Sequence, residues 1–285
     1  MSRNNGTAPF ERGHPARATS ELTLRIASGF VLASVVLAAT LWGGLPFTVI
    51  WAVAGGGVAY EWLALTEDAP AERRTRRVIL SALIAASALA LHWGGLGLAI
   101  LLVVAALVIL VLLDRGGAKL GLRAGGLVYA AVIALVPVAA REAPFGLMTV
   151  LWMFGVVWGT DILAYACGRL LGGPKLWPRV SPKKTWSGFI GGVAAGTMIG
   201  WIVLAATLTG GPAPLPVAAM IALSCVAAMI SQAGDLGESI LKRYLGVKDS
   251  GHIIPGHGGL MDRLDSFWAV SVFVGCALVF RALSS

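Results

Sequence analysis

Residues 215–243, LPVAAMIALSCVAAMISQAGDLGESILKR, carry the pattern that decides the fold. From 215 to 238 the stretch is apolar and long enough to span a bilayer, whose hydrocarbon core of roughly 30 Å needs about 20 residues of helix. Asp235 lies inside it, Glu238 stands at its end, and the chain runs out into Lys242 and Arg243. Bases at one end of an apolar span mark the cytoplasmic side. An acid inside a span costs at least ~2.5–3.5 kcal/mol, so its presence asks for a function.

Working outward, eight more apolar stretches appear, at roughly 22–42, 46–65, 78–93, 96–113, 125–140, 145–167, 188–208 and 264–283. The composition agrees. The chain has 285 residues, 57% hydrophobic and 13% charged, with mean hydropathy +0.82. Soluble domains carry roughly 25% charged residues, and disordered chains need low hydrophobicity, so both classes are excluded. The expected fold is all-α: a polytopic integral membrane protein of about nine transmembrane helices. Three units are expected: a disordered cytoplasmic tail over 1–20, N-terminal transmembrane helices over 21–145, and a C-terminal transmembrane catalytic region over 146–285. The tail is polar, and the first apolar stretch is long enough to span, so it does not read as a cleavable signal.

Net charge is +8 with a pI near 9.9. With the N-terminus in the cytoplasm and the C-terminus outside, every Lys and Arg except Arg141 and Arg281 falls on the inner side. The basic balance is thus a topology signal and calls for no nucleic acid. Outer connections such as Trp93–Gly95 and Thr209–Pro214 are short, so any chemistry belongs to the cytoplasmic face of the cell (inner) membrane. Cys167, Cys225 and Cys276 have no ligand spacing and read as buried small side chains.

Glu61, Asp161 and Asp235 share one depth, one to two helical turns from the inner boundary. Glu61 reads more simply as a structural residue. Asp235 and Ser239 lie one turn apart on a helix face that continues to Arg243, with Lys242 beside it. A polar, glycine-rich loop follows with Lys248, Asp249, His257, Gly258 and Gly259, and the chain re-enters at Asp262-Arg263-Leu264-Asp265. Two helix ends therefore present Asp235, Ser239, Asp262 and Asp265 to one space. Such oxygens suit Mg²⁺, which takes one or two carboxylates with substrate phosphate and water, and the surrounding bases suit phosphates. A second basic loop, 169–186, offers Ser181, Lys183, Lys184 and Thr185 as an anion site. Among the histidines, His257 has the best claim on a phosphate, ahead of His14, His92 and His252. No zinc spacing and no P-loop are present.

Residues 239–265, SILKRYLGVKDSGHIIPGHGGLMDRLD, resemble the signature of the phosphatidate cytidylyltransferases (CDP-diacylglycerol synthases) without a departure. Residues 181–188, SPKKTWSG, and Asp161 with Ala164, Tyr165 and Gly168 resemble the upstream pattern of that family, which usually has Glu where Ser187 stands. The resemblance implies transfer of the cytidylyl group from CTP to phosphatidic acid, Mg²⁺ dependence with a second cation left open, and a homodimer among membrane lipids. It makes Asp235 and Asp262 metal ligands with Ser239 close by. Lys242, Arg243, Lys248, Asp249, His257, Arg263 and Asp265 become further catalytic candidates. Asp161, Ser181, Lys183, Lys184, Thr185, Gly258 and Gly259 become substrate-binding candidates. The competing functions are a CTP-dependent polyprenol or phytol kinase, which would release CDP, and an ion-coupled transporter using the three intramembrane acids.

Overall fold

In lipid a backbone amide finds no water, so apolar runs satisfy their amides within a helix. The computed structural model describes residues 15–66, 74–114, 119–207, 215–251 and 258–284, with side chains from residue 28 onward. The helices are α1 (Pro15–Trp42), α2 (Gly44–Thr66), α3 (Arg74–Asp114), α4 (Leu120–Glu142), α5 (Gly146–Leu171), α6 (Trp186–Thr207), α7 (Val217–Tyr244) and α8 (Met261–Ser284). Seven of them, α2 to α8, are long and apolar enough to cross a membrane, and α1 contributes a shorter apolar run, Ser28–Trp42. The expected disordered tail lies outside the described residues as far as residue 14. Residues 15–20, expected to be part of that tail, are helical.

Straight, the 41 residues of α3 would extend roughly 60 Å. They do not run straight. Gly95 has φ 80° and ψ 178°, outside any helical conformation and in a region that glycine tolerates. Arg76 near one end donates to Asp114 at the other across 3.0 Å, so the chain doubles back at Gly95. The stretches 78–93 and 96–113 are the two arms of that hairpin.

Between α5 and α6 stands an antiparallel ribbon of β1 (Lys175–Trp177) and β2 (Ser181–Thr185), where the sequence suggested a plain loop in an all-α fold. Lys175 faces Thr185 and Trp177 faces Ser181, and Val180 N–H closes the turn onto the Trp177 carbonyl at 3.1 Å.

The helices form two groups, α2 with α3 and α4, and α5 with α6 and α7, while α8 touches α2, α4, α5 and α7. Aromatic rings fill the junction. Trp51 of α2 stacks on Phe267 of α8 at 4.8 Å, Phe154 of α5 lies 5.2 Å from Phe267, and Tyr129 of α4 stacks on Trp268 at 4.4 Å. Such pairs add about 0.5–1.5 kcal/mol each beyond burial. Within the second group α6 presents Gly188, Gly192, Gly196 and Gly200 at four-residue spacing. A Cβ on Gly192 would meet Ala164 of α5 and Gln232 of α7, and one on Gly200 would meet Val156 and Ser224. The bare stripe lets three helices approach backbone to backbone.

Candidate active site

The charged residues of the C-terminal half converge where α7 ends and α8 begins. Lys242, in the last turn of α7, bridges two acids: Glu238 one turn earlier at 3.0 Å and Asp262 of α8 at 2.7 Å. The other oxygen of Asp262 accepts the backbone N–H groups of Ser250 at 3.0 Å and Gly259 at 3.1 Å. Asp262 therefore ties both described flanks of the 252–257 segment to the start of α8. As an acid in the first helical turn it also complements the helix dipole. A carboxylate has about four lone-pair positions, and three are filled here.

Deeper in α7, Asp235 pairs with Lys184 of β2 at 2.6 Å. Asp161 of α5 and the buried Asp265 of α8 lie within electrostatic reach of Asp235, and Asp265 also lies beside Glu238. Ser266 Oγ donates to Asp161 at 3.4 Å. Asp161, Asp235, Glu238, Asp262 and Asp265 thus form one continuous acidic wall answered by Lys184 and Lys242. The two helix ends share one space, as their sequence suggested.

The ribbon is what carries Lys184 to the acids. Its last residue, Thr185, is buried and caps α6: its hydroxyl accepts the Gly188 N–H at 3.1 Å, the usual cap-to-third-residue bond. The Thr185 and Ser187 hydroxyls are 3.0 Å apart, and Ser187 donates in turn to the Gly172 carbonyl. On the neighbouring helix, Ala164 and Gly168 are small because Gly188 and Gly192 of α6 lie against them. Arg243 donates to the Val180 carbonyl at 3.4 Å, fastening the ribbon to the end of α7.

Glu61, read as structural, reaches this site from α2. Its buried carboxylate accepts the N–H groups of Leu260 at 2.8 Å and Met261 at 2.9 Å, and the Ser250 hydroxyl at 3.4 Å. Of the other candidates, Lys183, Lys248 and Asp249 are exposed, Arg263 is exposed, and Ser181 is half-buried. Ser239 is half-buried and makes no side-chain hydrogen bond to another described residue. Gly258, with φ 85°, and the buried Gly259 line the loop, while His257 lies outside the described residues. Sequence reasoning passed over Glu238, Ser250 and Ser266. Glu238 had a visible signal, its one-turn spacing from Lys242; the other two become legible only when α8 is placed.

The donor set can be compared with what Mg²⁺ requires. Among the described residues no three His, Cys, Asp or Glu side chains form a metal-holding group. Mg²⁺ rarely uses such a cage, taking one or two carboxylates and completing its shell with water and phosphate. Asp235 has one oxygen outside its pair with Lys184, and Asp262 keeps one lone-pair position beyond its three contacts, so these two carboxylates have the chemistry such a shell would use.

Fold and site define a helical membrane protein with acids and lysines facing each other at one end of its helices. The chain belongs to the Cytidylyltransferase family, whose pattern it matches over residues 23–280. It is 39% identical over 263 residues to the phosphatidate cytidylyltransferase of Brucella abortus (biovar 1, strain 9-941), which covers 90% of this chain and 92% of that protein. The phosphatidate cytidylyltransferase of Brucella suis (biovar 1, strain 1330) gives the same figures. Against that of Bacillus subtilis (strain 168), identity is 43% over 131 residues, 46% of this chain and 47% of the other.

Proposed function

We propose that this protein is a phosphatidate cytidylyltransferase: CTP and phosphatidic acid give CDP-diacylglycerol and pyrophosphate. A phosphate oxygen of the lipid attacks the α-phosphorus of CTP, the new P–O bond forms, and the bond to the pyrophosphate oxygen breaks. The lipid supplies the nucleophile, so no side chain need form a covalent intermediate. The observation that carries this reading is the meeting of Lys184–Asp235 and Lys242–Asp262 at one end of α7 and α8 in a member of this family. Two polyanions can be brought together only where cations offset their repulsion, and catalysis of this kind is mainly positioning and charge stabilisation.

Lys184, Lys242 and the exposed bases of both connections, Lys183, Arg243, Lys248 and Arg263, hold phosphates. Asp235 with Asp262 would hold Mg²⁺, with Ser239 as a further oxygen and Asp161 and Asp265 adding negative charge around Asp235. When bound, the ion polarises phosphate oxygens and offsets the charge that develops on them. Counting the two arms of α3 separately and α1 as a span gives nine passes, an inner N-terminus and an outer C-terminus. The site then faces the cytoplasm, where CTP is available, at the depth of lipid headgroups. A homodimer in the cell membrane and no nucleic-acid partner complete the reading.

The test uses detergent-purified full-length protein with α-labelled CTP, phosphatidic acid and Mg²⁺. Label should enter the lipid phase only when all three are present. Release of CDP with an alcohol acceptor, and no label in lipid, would instead indicate phosphoryl transfer.

A further inference from the structure

We propose that Glu61, on α2 of the N-terminal group, is a positioning residue for the active-site loop, so that the catalytic site is completed by the half of the chain that lacks its signature. Three observations meet there. Glu61 is 3% exposed, and among the described residues no cation pairs with it; donors satisfy it instead. Those donors are the N–H groups of Leu260 and Met261, at the very start of α8, and the Ser250 hydroxyl. A carboxylate at a helix N-terminus meets unpaired amides and the positive end of the helix dipole, so Glu61 caps α8 from another helix.

The loop is shaped to admit it. A Cβ on Gly251 would stand 2.6 Å from Glu61 Oε1, and one on Gly259 would stand 3.0 Å from Oε2. At Gly251 the carboxylate itself fills the space a side chain would take; at Gly259 the Ser250 hydroxyl and the Gly251 backbone fill it first, with the carboxylate behind them. Asp262 grips the same loop from the other side, through Ser250 N–H and Gly259 N–H. Ser250 is therefore held by two acids, Glu61 from α2 and Asp262 from α8. With Glu61 in place, Asp262 and Lys242 are aimed into the site; without it, two amides at the start of α8 lose their acceptor and the loop can shift. Misplacement by about 1 Å can cost on the order of 10²-fold in rate.

Glu61→Gln separates this role from packing. The amide has the same shape but keeps one acceptor oxygen and turns an N–H₂ toward the other backbone donor. In the full-length protein kcat should fall on the order of 10²-fold, with KM for CTP nearly unchanged and the thermal midpoint within a few degrees of wild type. Glu61→Asp, which keeps the charge, should recover part of the rate. Hydrogen exchange of the 258–262 peptide should quicken in Glu61→Gln and less in Glu61→Asp. Should Glu61→Gln not fold, Gly251→Ala drives a methyl group against the same carboxylate and should produce the same kinetic and exchange changes. Wild-type kcat together with wild-type exchange in whichever variant folds would overturn the assignment. The kinetic arm rests on the proposed cytidylyl transfer; the exchange arm does not, so a wild type that transfers no label refutes the activity and leaves Glu61 still testable.

Discussion

Two charged networks lie at ends of helices in this molecule, and they differ in one respect. In the N-terminal group, Asp114 at the end of α3 accepts from Arg76 at 3.0 Å and Arg123 at 2.5 Å, and Arg123 also donates to the Thr66 carbonyl. The side chains of Arg76, Asp114 and Arg123 are 8%, 2% and 3% exposed. In the C-terminal group, Lys184 and Asp235 are 22% and 36% exposed, and Lys242 and Asp262 are 16% and 12% exposed. The first network is sealed and fastens the ends of three helices, α2, α3 and α4; the second is open and holds charges that a ligand can reach. Residue type alone does not distinguish structure from chemistry. Access does.

The contrast predicts opposite phenotypes. Asp262→Asn should lower turnover by at least on the order of 10²–10³-fold, as when a charge-stabilising partner is lost, while the protein stays folded. Near wild-type rates in the labelled-CTP assay would erase the distinction. Asp114→Asn should do the reverse. Removing one member of a buried ion network costs about 3–5 kcal/mol, so its thermal midpoint should drop sharply, with activity per folded molecule retained. Gly126→Ala tests packing alone: its methyl would overlap the Trp62 indole, which donates to the Leu122 carbonyl at 2.8 Å. A stability loss of about 1–3 kcal/mol is expected, read by thermal unfolding, without a kinetic signature. The smallest effect belongs to the exposed Lys248. Lys248→Gln should raise KM for CTP several-fold at most and weaken its dependence on salt, because a long-range charge is screened by salt.

The helices were legible because each is a run of apolar residues of spanning length, and Trp93–Gly95 marked the reversal inside α3 before any coordinate was known. The ribbon was not. Its strands have three and five residues, and Ser181–Thr185 alternates no apolar face that would announce a strand. At the site, Asp235, Lys242, Asp262 and Asp265 stood out as charges at the mouths of spans, and they do converge. Thr185 looked like an anion ligand because a hydroxyl beside two lysines permits it, yet its oxygen is engaged in capping α6. Glu61 was visible as an acid in a span, but its partners lie 189 to 200 residues away in the chain, and no local pattern encodes such a distance.

The glycine stripe on α6 has a mechanical consequence. Where two helices meet through long side chains, rotamers can slip and absorb a displacement; where backbone lies on backbone, little remains to rearrange. A push on α6 is therefore handed directly to α5 and α7, and the three helices behave as a stiff frame. Asp161 and Asp235 are mounted on that frame, while Ser250 and Gly259 are not. Amide exchange along α6 should therefore stay slow whether or not CTP is bound.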